Sequence, residues 1–526
     1  MKVLVTDNLS AGGVEILKKA GSVHVDVKNK IPPDELKNIL GEYNGIIVRS
    51  TTKLSSDVIA GARKLKVIGR AGVGFDNIDI NAATKHGIVV MNTPGGNSIT
   101  TAEHTIAMML SMVRKIPQAT ASMKAEKWEK NKFLGMELYN KILGVAGLGN
   151  IGAIVADRGL GLKMRVIAYD PFISEEKAHE LGVELVSLDE LFNRSDIITV
   201  HVPLTKETKG LINRDTISRM KNGVCIINCA RGGIVDEEAL TEAIKSGKVA
   251  CAALDVFEKE PPGKHPLCEL ENVVLTPHLG ASTAEAQENV ALAIAEQVVD
   301  FLVHGVVRNA VNFPAIPSEA LGLLKPYINL SEKIGKFMSY LVQRDIEMVS
   351  IEYSGEISSH NIEPLTFAAL KGLLERTLTE NVNYINAPVI AKERGLKVVV
   401  SKTTSLEDYA SLITIKLKAG KDEFVIAGTI FGKKDAKIVK FDSYRIDVLP
   451  EGNILLLYNW DKPGVLGAIG TYLGKSGMNI AGLQLGRDKP GGKAVSFVHV
   501  DGPIPDNVLE EVKKLDNVIS AQQISL

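Results

Sequence analysis

The sequence is poor in cysteine, poor in aromatic residues and without any long apolar run. Four cysteines in 526 residues (Cys225, Cys229, Cys251 and Cys268) cannot form a disulfide framework and fit a reducing, cytoplasmic setting. None has metal-ligand spacing to a His or Cys cluster, so no metal site is expected. Nowhere do 18 apolar residues run together, which argues against a membrane-spanning helix. The opening run 2–6 is strand-like and follows neither a basic stretch nor a long apolar one, so no secretory leader is expected. Charge of one sign is also missing: 61 Lys and Arg balance 62 Asp and Glu, giving a net charge of −1. That balance supplies no field to attract nucleic acid or an anionic membrane.

An ordinary share of apolar residues, 45%, with 23% charged, is enough for several folded cores over this length. Short β-rich runs at 2–6, 45–48, 66–69 and 87–91 alternate with helical stretches such as 34–40 and 56–62. That alternation predicts a parallel sheet with crossover helices. The cluster 92–97 interrupts it, and a long apolar helix begins at Ser98 and runs toward Val113. A second series starts at Lys141, with strands expected at 142–146, 165–168, 197–200, 224–228, 252–256 and 273–275. Six strands with intervening helices make a complete doubly wound dinucleotide-binding sheet. A helix is expected over 283–303, followed by a proline-bearing linker over 309–317. Residues 318–450 mix helices with polar strands, and the last 75 read β-α-β-β-α-β, the ferredoxin-like split arrangement.

Gly147-Leu148-Gly149-Asn150-Ile151-Gly152 fits G-x-G-x-x-G directly between a strand and a helix. In that context Gly147 makes a tight turn, Gly149 admits a pyrophosphate, and Gly152 lets helix and strand pack closely. Phosphates would sit at the helix N-terminus, where free N–H groups favour negative charge. The next strand ends in Asp170, 18 residues past Gly152, with Pro171 and Phe172 rather than an arginine behind it. A carboxylate there accepts from ribose hydroxyls and repels a 2′-phosphate, so NAD is expected in preference to NADP.

Three segments downstream each follow a strand: Cys229-Ala230-Arg231-Gly232-Gly233, Asp255 leading to Glu258-Lys259-Glu260, and Thr276-Pro277-His278-Leu279-Gly280. An arginine, a carboxylate and a histidine are thus expected at one rim. Alcohol oxidation needs a base for the hydroxyl proton, and histidine can take and return it. Glu260 would hold the ring of His278, and Arg231 would clamp a substrate carboxylate.

These runs, with Gly69-Arg70-Ala71-Gly72-Val73-Gly74, Asn92-Thr93-Pro94, Val200-His201-Val202-Pro203-Leu204 and Pro277-His278-Leu279-Gly280-Ala281, resemble the D-isomer-specific 2-hydroxyacid dehydrogenases. The resemblance spans residues 45–290 and extends to the tail. It implies catalytic roles for Arg231, Glu260 and His278. It implies NAD contacts from Val73, Gly147, Gly149, Asn150, Ile151, Gly152, Asp170, Cys229, Ala230, Arg231, Asp255, His278, Leu279, Gly280 and Ala281. It further implies a flavodoxin-like substrate domain from 1–97 and 284–310 with the NAD domain, 98–283, inserted in it.

The long members of the family add an α+β intervening domain, here 311–450, and a regulatory domain of the ACT type, here 451–526. Their substrate, 3-phosphoglycerate, carries a phosphate as well as a carboxylate, and Arg49, Ser50, Arg70 and Asn97 occupy the corresponding binding positions. Physically, an arginine beside hydroxyls at a strand end suits a phosphate. The resemblance implies L-serine as an effector held by Asn459, Asp461 and Asn479 between paired subunits, in a homotetramer. Shorter members, such as glyoxylate or hydroxypyruvate reductases, end near residue 320, and the roughly 200 residues beyond it argue against them. NAD(H)-sensing corepressors share the fold, but the intact trio beside an amino-acid-sensing tail favours an enzyme.

Overall fold

The structure, a computed structural model, describes residues 1–314, 318–342, 346–376, 378, 382–405, 408–432 and 434–526. Of the expected linker 309–317, residues 315–317 lie outside the described residues. The first sheet comprises β1 (Lys2–Val5), β2 (His24–Val27), β3 (Gly45–Val48), β4 (Val67–Arg70) and β5 (Val89–Met91). All pairs are parallel, in the order β2-β1-β3-β4-β5 that defines a flavodoxin-like sheet. Its inner strands are apolar on both faces because helices cover both. β2 escaped the sequence reading: His24-Val25-Asp26-Val27 is a half-exposed edge with no apolar run.

The second sheet comprises β6 (Ile142–Ala146), β7 (Arg165–Tyr169), β8 (Glu184–Leu185), β9 (Ile197–Val200), β10 (Val224–Asn228), β11 (Val249–Leu254) and β12 (Val273–Leu275). The order β12-β11-β10-β9-β6-β7-β8 is parallel throughout and reverses between β6 and β9. Six strands were expected; the seventh, β8, is two residues long and too short to leave a pattern.

Two helices carry the chain between these sheets. Ser98–Val113 buries Ala102, Met108, Met109 and Met112 against Leu143 and Val145 of the second sheet. Ala284–His304 returns to the first, where Val290, Ile294 and Val298 meet Val3 and Val67. Thr283 caps its start through Ala286 N, and Gly305, in the left-handed region at φ +69°, ends it.

The remaining chain forms β13 (Met348–Gly355), β14 (Lys397–Thr403), β15 (Ser411–Ala419), β16 (Asp422–Phe431), β17 (Asp435–Phe441) and β18 (Tyr444–Val448), ordered β14-β13-β15-β16-β17-β18. Only β13 and β14 run parallel. Helices Ser318–Leu341 and Glu363–Glu375 cross at two glycines, each set against the other helix's backbone: a Cβ at Gly335 would lie 2.1 Å from Ala369 O, and one at Gly372 2.1 Å from Glu332 O.

The last unit has β19 (Asn453–Trp460), β20 (Ile480–Arg487), β21 (Lys493–Val500) and β22 (Val518–Ser525) in the ferredoxin-like order β20-β21-β19-β22. Helices Val465–Lys475 and Asp506–Lys513 cover one face. The other face packs on the preceding unit, with Phe497 5.3 Å from Phe441, edge to face. Among the described residues, no helix is long and apolar enough to cross a membrane.

Candidate active site

In the second sheet every functional segment leaves a strand at its C-terminal end, so all reach one rim. The glycine loop after β6 has the three properties expected of it. Gly147 has φ +96°, and a Cβ there would lie 2.8 Å from His201 O. Nothing lies within 4 Å of where a Cβ on Gly149 would be, and one on Gly152 would sit 1.9 Å from Gly147 O. A tight turn, an open cradle and a close helix approach therefore occur in the order a pyrophosphate requires. The helix Asn150–Gly161 opens on that cradle with no side chain capping it.

Asp170, at the end of β7, accepts from Leu148 N at 2.8 Å and Phe172 N at 2.9 Å. The carboxylate is thereby fixed against the glycine loop. The fit to a dinucleotide rests on this chain's own backbone.

Asp255, fully buried, organises the opposite side. Its carboxylate accepts from Thr276 Oγ1 at 2.6 Å, Leu279 N at 2.7 Å and Gly280 N at 2.8 Å, and His104 Nε2 lies 3.2 Å away. Burial pushes its carboxyl up, but these donors outweigh that and hold it below the usual range. Both oxygens are thus engaged by the protein, and the turn carrying His278 is tied to β11. His278 sits on that turn at φ +53°, a left-handed conformation uncommon outside glycine though one histidine adopts more readily than most. The Glu260 carboxylate accepts from its Nδ1 at 2.7 Å while Glu260 Oε1 accepts from Phe257 N at 3.1 Å. With Nδ1–H so engaged, Nε2 is left free to exchange a proton.

Arg231 reaches the same region from β10. Asn228 braces the turn, its Nδ2 donating to Arg231 O and its Oδ1 accepting from Ala230 N. Gly232 lies against the Glu260 segment so tightly that a Cβ would fall 1.9 Å from Phe257 O. Across the cleft Arg231 Nε meets Asp76 Oδ2 at 3.2 Å.

Arg70, at the end of β4, is pushed down to about 10 by burial and by the neighbouring positive charges of Arg231 and Arg49. The charges of Arg231 and Arg49 therefore both act on Arg70, opposed by the Asp76 and Asp7 carboxylates. Among the described residues, Arg70 Nε and Asn97 Oδ1 are buried polar atoms without a partner. Ser50 is exposed at the end of β3 beside Arg49. Val73 O accepts from Asn92 Nδ2 at 2.6 Å, which joins the loop after β4 to that after β5. Cys229 points into the core, its thiol pushed up to about 12 by burial and by Asp255, so it is no nucleophile.

The model of the D-isomer specific 2-hydroxyacid dehydrogenase NAD binding domain matches residues 106–280. Those of the D-3-phosphoglycerate dehydrogenase intervening domain and the ACT domain match 323–442 and 453–517. The chain is 49% identical to D-3-phosphoglycerate dehydrogenase of Archaeoglobus fulgidus over the whole of both chains. It is 41% identical to that of Bacillus subtilis over 100% of this chain and 99% of the other. The chain belongs to the D-3-phosphoglycerate dehydrogenase family.

Among solved structures it is similar to D-lactate dehydrogenase of Aquifex aeolicus in complex with NAD and lactic acid. The TM-score is 0.52 and the identity 33%, over 60% of this chain and all of that one. An NAD-dependent formate dehydrogenase of Staphylococcus aureus in complex with NAD gives a TM-score of 0.53 and 29% identity, over 59% of this chain and 98% of that one. The chain is an NAD-dependent dehydrogenase with NAD as its cofactor.

Relative to what its family motifs suggest, the site contains residues that local sequence does not disclose. Asp7 accepts from Arg49 N, Thr51 Oγ1 and both Thr52 N and Oγ1, and so shapes the loop bearing Arg49 and Ser50. Asn77 Nδ2 closes the same loop by donating to Arg49 O and Thr52 O. A second His–carboxylate pair stands behind the first: His265 Nε2 and Glu237 Oε2 are 2.8 Å apart, and Glu237 Oε1 accepts from Glu258 N. It pins the segment that ends in Glu260.

In the ACT domain the expected effector groups are already engaged. Asp461 accepts from Arg487 Nη1 and Gly491 N, and Asn479 Nδ2 donates to Asp501. Asn459 departs from expectation. It is buried, its Nδ2 donating to Trp460 O and its Oδ1 accepting from Ser496 Oγ, so it presents nothing to a ligand.

Proposed function

We propose that the chain oxidises the 2-hydroxyl of 3-phosphoglycerate to the ketone of 3-phosphohydroxypyruvate, the first committed step toward L-serine. The observation carrying this reading is the His278–Glu260 pair at the rim of a dinucleotide-type sheet, beside the turn bearing Arg231, whose charge together with that of Arg49 acts on Arg70. Arg231 clamps the substrate carboxylate, and Arg49, Ser50, Arg70 and Asn97 receive the phosphate. Pinning both anionic ends fixes the 2-hydroxyl between them. His278 Nε2 takes the hydroxyl proton, and the Glu260 carboxylate steadies the resulting imidazolium through Nδ1–H. NAD, when bound, accepts the hydride that leaves C2 with both electrons of its bond. The glycine loop 147–152, Asp170, and the segments around Val73, Cys229–Ala230, Asp255 and 279–281 hold and enclose it.

We further read residues 1–97 with 284–310 as the substrate domain, 98–283 as the NAD domain, 311–450 as the intervening domain and 451–526 as the regulatory domain. The assembly proposed is a cytoplasmic homotetramer in which L-serine, bound at Asp461 and Asn479 between paired subunits, slows the enzyme. Steady-state NADH formation tests the activity with 3-phosphoglycerate and unphosphorylated D-2-hydroxyacids side by side. The expectation is a kcat/KM at least about 100-fold higher for 3-phosphoglycerate; equal values would remove the phosphate site. For the regulatory half, millimolar L-serine should slow the wild type and leave Asp461→Ala untouched.

A further inference from the structure

Two of the four cysteines face each other, and the proposed reaction uses neither. Cys225 on β10 and Cys251 on β11 are partners in the parallel ladder, with their sulfurs 2.7 Å apart. A register shift puts them there: Val224 lies opposite Val249, and the next pair is Cys225 with Cys251. Ala250 is the extra residue, unopposed, its carbonyl taken by Asn272 Nδ2. Without that bulge, Cys251 would pair one residue later and project from the other face of the sheet. With it, both thiols lie on the face that carries Leu143, Val145 and Ile227.

Neighbouring strands stand about 4.8 Å apart, within the span of about 4.4–6.8 Å that a disulfide bridges between Cα atoms. The spacing of the two strands is therefore compatible with a bond between the sulfurs. Access is one-sided, since Cys225 is buried and Cys251 is half-exposed. The hydrogen bond between the thiols favours one thiolate, drawing Cys225 down and pushing Cys251 up. Cys225 is thus the sulfur favoured for the charge, and the half-exposed Cys251 keeps the shared proton.

We propose that Cys225 and Cys251 are a reversible dithiol–disulfide site oxidised by a small hydroperoxide. Cys251 Sγ attacks one peroxide oxygen as its proton passes to the Cys225 thiolate; the O–O bond breaks, and the hydroxide released takes a proton from solvent as water. A sulfenic acid is left on Cys251. The Cys225 sulfur then attacks Cys251 Sγ; the S–S bond forms, the S–O bond breaks, and the departing hydroxide carries the second thiol proton away as water. The two thiols give up two electrons in all, and one peroxide becomes two waters. A transient bond of this kind is what a reducing compartment permits, in contrast to a permanent one. It staples β10 to β11 below the turns bearing Arg231 and Asp255.

The test uses the full-length protein and one equivalent of hydrogen peroxide. Remaining thiols are then capped with N-ethylmaleimide, and the digest is read by mass spectrometry with and without dithiothreitol. The expected result is loss of both sites from the alkylated pool and a single peptide joining Cys225 to Cys251, separated again by reduction. Cys251→Ser should abolish the joined peptide. Exposed Cys268 reports that oxidant was present. Two outcomes would overturn the proposal: Cys225 and Cys251 both remaining alkylatable while Cys268 is oxidised, or Cys251 ending as a sulfinic acid with no joined peptide.

Discussion

The Glu260 carboxylate holds Nδ1 of His278 at 2.7 Å, although the two residues are eighteen apart and arrive on turns following different strands. The pair exists because β11 and β12 are parallel neighbours and because Asp255 ties the His278 turn back to β11. In the proposed reaction Nε2 is the ring nitrogen left for substrate.

Replacing His278 by Asn should therefore lower kcat by about 10³, within the range general acid–base catalysis supplies. The glycine loop is untouched, so NADH affinity by fluorescence titration should stay within about twofold. Glu260→Gln keeps the shape but removes the charge that steadies an imidazolium, and a loss of about 10–100-fold is expected. Unchanged turnover in His278→Asn would remove this residue from its role.

Asp170 has two duties that two variants separate. In the proposed site it would repel a 2′-phosphate by charge, and it holds Leu148 N by accepting a hydrogen bond. Asp170→Asn keeps an acceptor and loses the charge, so the preference for NAD over NADP should fall with little change in KM for NAD. Asp170→Ala loses both, and KM for NAD should rise about tenfold or more as the loop loosens. If both variants discriminate like wild type, another group selects the cofactor.

Much of this was legible in the sequence because open parallel sheets write plainly. Strands covered on both faces read as continuous apolar runs, and function gathers where such runs end, as after Val224–Asn228 and Val273–Leu275. What stayed hidden depends on distance along the chain. Asp7 reaches Arg49 across 42 residues, and Glu237 meets His265 across 28. No periodicity encodes either pairing. The short edge strand His24–Val27 lacked a pattern because half its surface faces water. Asn459 was placed among the effector groups by family position alone, and only the fold shows Ser496 beside it.

Asp255 predicts how the site responds to acid. Its folded-state carboxyl lies below the usual carboxylate range, so its contribution to stability is complete above the unfolded value of about 4. That contribution is lost as pH falls through the lower folded value. Asp7, held down in the same way, acts in the same direction. The melting temperature should be flat on this account from neutral pH to about 5 and then decline. In Asp255→Asn, the amide nitrogen faces backbone N–H groups, so about 2 kcal/mol of stability should go and the acid decline should become shallower. Parallel acid profiles in the two proteins would show that Asp255 is not the group responsible.

Gly232 makes the sharpest prediction, because backbone rather than side chain opposes any change there. A Cβ would lie 1.9 Å from Phe257 O and 2.6 Å from Glu258 N. Neither atom can rotate away, so Gly232→Ala must push the turn bearing Arg231 off the segment bearing Glu260. A displacement near 1 Å between catalytic groups costs about 100-fold, and kcat/KM should fall by at least that much. NADH affinity should survive better than turnover, since the glycine loop follows β6, two strands away from β10. Gly467→Ala is the matched control: it lies in the helix Val465–Lys475, and nothing stands within 4 Å of where its Cβ would go. An alanine there should leave the rate alone and raise helix stability by about 0.5–1 kcal/mol. A Gly232→Ala enzyme with full activity would mean that the two turns need not touch for the reaction to proceed.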